Sequence, residues 1–142
     1  MTRSPTLTGI YLFVEVLQKT VDFYRLLGFD VEIVSSMLAR AVAPNGVVIA
    51  FGTAELTRSY DATWQSPGSP TKNTINLELA SAYEVDEMYR RVLAAGYVGH
   101  LAPCNPPWEA RFAIVEDPDG NFVGLNSPRS IEDDRRRERA VA

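Results

Sequence analysis

Few residues in this sequence could carry covalent or metal chemistry. The chain has one histidine, His100, and one cysteine, Cys104. They lie in a proline-rich stretch that does not present a formed Cys–His pair, the arrangement that activates a thiolate, so we interpret Cys104 as an idle thiol. A single cysteine also excludes an intramolecular disulfide and is typical of a reducing compartment.

The charge of the chain argues against nucleic-acid and membrane partners. The formal net charge is −4 and the isoelectric point is about 5.0, whereas binding to nucleic acid requires a basic face. The basic run at residues 135–137 is surrounded by acidic residues, which is typical of a solvated tail, here residues 129–142. No apolar run approaches the ~20 residues of a membrane span, and no signal-peptide core follows Met1. We therefore predict a cytoplasmic protein.

The elements that must position any site follow a repeated order. Residues 7–16 predict a strand buried on both faces, and residues 17–27 predict a helix that ends at Gly28. Strands follow at 29–34, 37–43 and 46–51, with a Pro-Asn-Gly turn between the last two. The second half repeats this order, with strands at 73–80, 97–102, 110–115 and 122–126 and a helix at 82–95 that ends at Gly96.

We therefore predict an α+β protein made of two βαβββ modules, at about residues 7–52 and 73–127. They form one domain over residues 1–128, with a linker at 53–72. Each module exposes an apolar sheet face that has to be covered. The two sheets could curl into one cup-like mixed sheet, or pair with a second chain.

The linker carries two aromatic residues, Tyr60 and Trp64, among glycine, proline, serine and threonine. A loop of this length in a compact domain is often functional, and exposed aromatic rings are costly in water. Two interpretations remain open. The rings could cover a ligand pocket, or they could pack on the rim or against a dimer partner.

Two motifs resemble those of one protein family. Residues 21–29, Val-Asp-Phe-Tyr-Arg-Leu-Leu-Gly-Phe, resemble the first helix and cap of the vicinal oxygen chelate superfamily. That group includes glyoxalase I, the extradiol dioxygenases and the bleomycin-resistance proteins. Trp108, Arg111 and residues 116–121 resemble its second signature, with Glu109 in place of the usual glycine. The order of elements agrees over about residues 7–128.

Each motif also has a purely structural interpretation. Phe23 and Tyr24 belong to the packed face of a helix, and residues 117–121 make a tight turn chosen for its geometry. Arg111 could face a ligand, although we favour a structural ion pair with Glu109 or Asp119.

The resemblance implies four metal-ligand positions, which fall at Gly9, Ala50, Thr74 and Gly124. Glycine and alanine have no side-chain donor, and threonine is a poor ligand for a divalent transition metal. A shift of one residue would turn each side chain to the other face of its strand. We therefore predict no metal and no cofactor, which argues against the metal-dependent reactions of the superfamily.

The same alignment predicts which side chains face the interior. Tyr11, Phe13 and Glu15 are in phase with Gly9, and Asn76 and Glu78 are in phase with the corresponding strand position of the second half. Small residues at Gly9, Ala50, Gly52 and Gly124 should leave room for a ligand. The rings could stack on a flat ligand and a carboxylate could pair with a cationic one, or the rings could simply fill the core. The predicted ligand-binding residues are Tyr11, Phe13, Trp64, Asn76, Glu78, Trp108 and Arg111.

Three functions remain open. The first is a metal-free binding protein that resembles the bleomycin-resistance branch; it would sequester a small, aromatic molecule as a homodimer, with no catalytic residue. The second is a lyase, isomerase or dioxygenase-like enzyme, metal-free or with a rearranged metal site, in which the apolar cup raises the pKa of Glu15 or Glu78 to make a base. An acid-only metal site of Glu15, Glu55 and Glu78 finds no support in their spacing. The third is a scaffold or regulatory partner with an empty cavity.

Overall fold

The computed structural model describes residues 4–66, 73–107 and 110–128. The chain divides into two compact units, residues 1–69 and 70–142. Within these described residues, each unit contains a four-stranded mixed sheet, and three helices accompany the two sheets. The α+β class and the repeated βαβββ order are confirmed. No helix among the described residues combines the length and apolar character that a membrane crossing requires.

The first unit forms one sheet with strand order β1-β4-β3-β2. Strand β1 pairs with β4 in parallel, and the other neighbours are antiparallel. Its elements are β1 (Gly9–Val14), α1 (Leu17–Leu26), β2 (Val31–Ser35), β3 (Leu38–Val42), β4 (Val48–Thr53) and α2 (Ala54–Tyr60).

Helix α1 packs its aromatic residues on one face of this sheet. Phe23, Tyr24 and Phe51 of β4 are fully buried, and the rings of Tyr24 and Phe51 lie 4.6 Å apart between centroids. Burying a side chain of this size contributes about 1.5–3 kcal/mol to stability. The structural interpretation of the first motif, a packed helix face, is therefore confirmed. The chain leaves the helix through Gly28 at φ 105°, a left-handed conformation that glycine adopts readily.

Two predictions for the first unit are wrong. Strand β1 is not buried on both faces, since Val14 is buried but Phe13 is 40% exposed. The second error is in the linker, where residues 54–60 form helix α2 instead of a loop. The Thr53 hydroxyl accepts a hydrogen bond from the Leu56 amide at 3.3 Å, which satisfies a backbone donor in the first turn.

The second unit repeats the arrangement with strand order β5-β8-β7-β6. Helix α3 packs on β6, β7 and β8, and its Val85 and Val92 are buried, as are Val115 and Leu125 of the sheet. The Ser81 hydroxyl caps this helix by accepting from the Glu84 amide. The elements are β5 (Thr74–Glu78), α3 (Ala82–Ala94), β6 (Val98–Cys104), β7 (Arg111–Glu116) and β8 (Phe122–Ser127). Strand β6 therefore continues to Cys104, past the predicted end at residue 102.

The second motif makes the turn between β7 and β8. The buried carboxylate of Asp117 accepts hydrogen bonds from the backbone amides of Asp119 and Asn121 and from the Asn121 side chain, each at 2.9 Å. Gly120 has φ 84°, where a side chain would be strained. These contacts confirm that this segment forms a tight turn.

Candidate functional site

The candidate site lies on the face of the first sheet that points away from α1, here called the distal face. Phe51 packs on α1, so its neighbours Ala50 and Gly52 belong to the distal face. The parallel register of β1 and β4 sets Tyr11 opposite Ala50 and Phe13 opposite Gly52. The two aromatic side chains, Tyr11 and Phe13, therefore lie on one face of the sheet, as the alternation of the sequence predicted.

The side chain of Tyr11 fills the space above Gly52. A Cβ atom built on Gly52 would lie 1.6 Å from Tyr11 Oη and 2.4 Å from Tyr11 Cζ. A Cβ on Gly9 would likewise lie 2.8 Å from the backbone oxygen of Val48. The prediction that small residues leave room for a ligand at these positions is wrong, because neighbouring atoms occupy it.

Three aromatic side chains form a continuous cluster on the distal face. The Tyr11 and Phe13 rings lie edge to face with centroids 5.2 Å apart, and Phe13 and Trp64 lie 4.9 Å apart with their planes tilted by 36°. Both distances are in the range that contributes about 0.5–1.5 kcal/mol per pair beyond area burial. These residues are called the aromatic cluster below. Phe13 keeps 40% of its surface exposed, so the cluster presents an apolar surface to solvent.

Helix α2 brings further side chains to the aromatic cluster that the sequence did not indicate. The Arg58 guanidinium carbon lies 5.4 Å from the centroid of a Trp64 ring, a cation–π contact. Trp64 follows a turn in which the Asp61 carboxylate accepts from the amide and the hydroxyl of Thr63. Tyr60, in the last turn of α2, is 66% exposed. Of the two interpretations of the linker rings, the structure places Trp64 in the cluster and leaves Tyr60 largely in solvent.

The Tyr11 hydroxyl is the most unusual polar group of this site. Its oxygen is buried, and it has no hydrogen-bond partner of acceptable geometry within the described residues. Burial raises the pKa of Tyr11 above the ordinary value of 10.0; the neighbouring Thr57 hydroxyl lowers the pKa, and Tyr60 raises it. The Thr57 hydroxyl itself donates to the backbone oxygen of Thr53. Tyr11 therefore remains a neutral phenol at physiological pH.

The second unit has a corresponding face, away from α3, that carries polar residues. Asn76 lies opposite Gly124, and a Cβ on Gly124 would lie 2.3 Å from Asn76 Oδ1. Glu78 lies opposite Asn126, whose Oδ1 is buried with no partner in the described part of the chain. Asn76 and Glu78 are exposed, as is Glu15 of the first unit. The exposure of Glu15 and Glu78 does not favour the hypothesis that either acts as a base in an apolar environment.

Arg111, predicted to bind ligand, lies on the opposite side of the second sheet from Asn76. It shares a face with Val115, which α3 covers. Its Nε donates to the Asp86 carboxylate at 2.8 Å and its Nη1 to Asn105 Oδ1 at 3.1 Å. An ion pair was expected, but Asp86 of α3 was not among the expected partners. Trp108, the remaining predicted site residue, lies outside the described residues.

The residues present do not fit a metal centre of the type that the resemblance implies. The four implied positions hold Gly9, Ala50, Thr74 and Gly124, which together offer one hydroxyl. Asn76 already fills the space where a side chain at Gly124 would project. No three histidine, cysteine, aspartate or glutamate side chains cluster closely enough to hold a metal ion within the ranges described.

Comparisons with known proteins agree with the fold. The family model for the glyoxalase/bleomycin resistance protein/dioxygenase superfamily matches residues 6–125. A glyoxalase/bleomycin resistance protein/dioxygenase from Nocardioides is similar, with 27% identity, a TM-score of 0.73, and coverage of 92% of this chain and 88% of that one. No curated protein matches the chain.

Two less similar structures support the fold alone. A glyoxalase/bleomycin resistance protein/dioxygenase family enzyme from Burkholderia phytofirmans PsJN is 21% identical, with a TM-score of 0.78 and coverage of 88% of this chain and 100% of that one. A lactoylglutathione lyase from Agrobacterium tumefaciens is 18% identical, with a TM-score of 0.67 and coverage of 89% and 96%. Since the family model spans both units, the chain belongs to the glyoxalase/bleomycin resistance protein/dioxygenase superfamily.

Proposed function

We propose that this protein is a metal-independent small-molecule-binding member of the superfamily, similar in mode of action to the bleomycin-resistance branch. It binds a flat aromatic ligand on the aromatic cluster and breaks no bond. The observation that carries the proposal is the contact series Tyr11–Phe13–Trp64 on the distal face, in which Phe13 remains 40% exposed. An exposed ring held by two other rings is a rigid stacking surface, because little side-chain entropy remains to be lost on binding.

The residues at the four implied metal positions favour stoichiometric ligand binding over metal-assisted chemistry. Gly9, Ala50, Thr74 and Gly124 supply no ligand set for a metal that could polarise a substrate oxygen. Glu15 and Glu78, the carboxylates considered as bases for a metal-free reaction, are exposed to solvent. Stoichiometric binding requires neither a metal ion nor a catalytic base.

The number of heavy atoms in a ligand that fits the aromatic cluster determines the expected affinity. A bicyclic ligand of about twelve heavy atoms at roughly 0.5 kcal/mol per atom binds with about 6 kcal/mol, which corresponds to a Kd of tens of micromolar. The proposal further includes a homodimer in the cytoplasm. Sedimentation equilibrium would test the dimer.

The experiment uses calorimetric titration of the full chain with 2-naphthol, a flat and neutral probe. We expect saturable binding in the wild type and a loss of at least about tenfold in Phe13→Ala and in Trp64→Leu, because each removes one stacking surface. Tyr83→Ala is the matched control, since Tyr83 is an exposed ring of α3 in the other unit. Binding that persists unchanged in Phe13→Ala and Trp64→Leu would contradict the proposal.

A further inference from the structure

Arg58 differs from the other arginines whose contacts are described. Arg40, Arg90 and Arg111 each form an ion pair with a carboxylate, and Arg25 donates to a backbone oxygen. Arg58 has a cation–π contact with Trp64 and no hydrogen bond or ion pair within the part of the chain that the structure describes. Its N–H donors are therefore available at the edge of the aromatic cluster.

The acidic residues of α2 and the following turn do not engage this guanidinium. Asp61 is committed to the amide and hydroxyl of Thr63. Glu55, in the first turn of α2, is exposed and makes no described contact with Arg58. The last turn of a helix favours a cation by about 0.3–1 kcal/mol, which accounts for a basic residue at this position. This preference of the helix end for a cation does not require the guanidinium to lie over an indole ring.

We propose that Arg58 is an anion subsite and that the ligand is an aromatic carboxylate. This inference rests on the proposed function, since the ligand ring stacks on Phe13 and Trp64 while its carboxylate binds Arg58. The centroid distances, 5.4 Å from Arg58 to Trp64 and 4.9 Å from Trp64 to Phe13, put the guanidinium no more than about 10 Å from the Phe13 ring. A bicyclic acid spans this separation.

The chemistry of arginine suits this arrangement. A guanidinium lying over a ring keeps its edge donors free, and its planar fork matches the two oxygens of a carboxylate. Trp64 also limits the positions open to the Arg58 side chain, which reduces the entropy lost when a ligand binds. Because the whole chain carries a net charge of −4, long-range steering does not favour an anion. Selectivity for a carboxylate would therefore depend on this local cation.

The test compares two probes that share a ring system, 2-naphthoate and 2-naphthamide, by calorimetric titration at low and moderate salt. In the wild type we expect the carboxylate to bind about five- to twentyfold more tightly than the amide, with a preference that salt weakens. Arg58→Gln should remove the preference for the carboxylate over the amide, and Arg58→Lys should retain part of it. Arg91→Gln, the same charge change on the exposed surface of α3, is the control.

The outcomes separate this inference from the proposed function. Equal binding of both probes in the wild type, or a carboxylate preference that survives Arg58→Gln, overturns the anion subsite and leaves the aromatic site standing. Failure of 2-naphthol and both naphthalene derivatives to bind the folded protein overturns both proposals. Loss of the preference in Arg58→Gln but not in Arg91→Gln supports the subsite.

Discussion

The hydroxyl end of Tyr11 lies directly over Gly52, at the position that a Cβ atom on Gly52 would occupy. Tyr11 is on β1 and Gly52 on β4, and the register sets Tyr11 opposite Ala50, two residues earlier. The Tyr11 side chain therefore leans along β4 to reach the glycine. This contact fixes the ring that supports Phe13, so the absence of a side chain at Gly52 shapes the candidate site.

Gly52→Ala should destabilise the protein by about 1–3 kcal/mol, because the added methyl group overlaps the rigid Tyr11 ring and forces it to shift from its contact with Phe13. Urea unfolding followed by circular dichroism measures the change. In a Tyr11→Ala background the same substitution should cost less than about 1 kcal/mol, since the overlap is gone. If the losses in free energy of unfolding of Tyr11→Ala and Gly52→Ala simply add in the double variant, Gly52 is required for a reason other than the Tyr11 ring.

Gly124→Ala should cost less than Gly52→Ala, although both glycines face a close neighbour. The nearest contact at Gly124 is with Asn76 Oδ1, the end of an exposed side chain that can rotate away. Phe112 Cε1, which would lie 3.2 Å from the added Cβ, then has to shift by only a few tenths of an ångström. We expect a loss below about 1 kcal/mol in the same urea measurement. A loss equal to that of Gly52→Ala would mean that Asn76 is held in place, and Asn76→Ala would then relieve it.

Local signals in the sequence predict the frame of the fold well. Gly28 and Gly96 end their helices at φ 105° and 94°, and residues 117–121 make the expected turn. Each of these features depends on a few consecutive residues whose backbone preferences do not depend on the rest of the chain. The strand alternation likewise brought Tyr11 and Phe13 to one face.

The structural features that the sequence did not predict depend on contacts between distant residues or on short secondary-structure elements. Helix α2 has seven residues and lies in a segment otherwise rich in glycine, proline and serine, which concealed a Thr53 cap followed by good helix formers. Arg58 reaches Trp64 only because of that helix and the turn after it. The direction in which Tyr11 leans, which fills the space above Gly52, cannot be derived from alternation.

Tyr11 should make stability fall at alkaline pH. Burial raises its folded pKa above the ordinary 10.0, so the folded state keeps a proton that the unfolded state releases. The stabilising contribution is fully present below pH 10.0 and is lost as the pH rises from there through the folded pKa. Urea unfolding between pH 8 and 11 should show a shallower decline in Tyr11→Phe than in the wild type.

Tyr11→Phe also tests the unpartnered hydroxyl at neutral pH. The oxygen is buried and has no hydrogen bond of good geometry among the described residues, although the Thr57 and Tyr60 hydroxyls lie beside it. Its removal should therefore leave the free energy of unfolding within about 1 kcal/mol of the wild type. Tyr83, whose pKa is raised by its hydrogen bond to Glu87, is present in both proteins, so its contribution cancels. If the free energy of unfolding falls equally with rising pH in the wild type and in Tyr11→Phe, the pKa of Tyr11 is not raised in the folded state.

Arg111→Gln should lower stability and spare ligand binding, because Arg111 ties α3 to β7 through Asp86. Arg111 is only 25% exposed at its side chain but Asp86 is 48% exposed, so solvent screens the pair and we expect a loss of about 0.5–1.5 kcal/mol. Asp86→Asn should cost a similar amount, and the double variant should cost little more than either. A large fall in affinity for 2-naphthol in Arg111→Gln would instead return Arg111 to the ligand site.

Divalent metal ions should neither copurify with this protein in stoichiometric amounts nor stabilise it. The positions that the family resemblance assigns to metal ligands hold Gly9, Ala50, Thr74 and Gly124, and the backbone oxygen of Val48 leaves no room for a side chain at Gly9. Since a metal that binds only the folded state raises the melting temperature, thermal unfolding with and without chelator and with added Zn²⁺, Ni²⁺ or Mn²⁺ is the direct measurement. We expect less than about a tenth of an equivalent of bound metal and no shift in melting temperature. A near-stoichiometric metal whose removal lowers the melting temperature would mean that other residues form the donor set, and metal-assisted catalysis would then replace capture as the leading hypothesis.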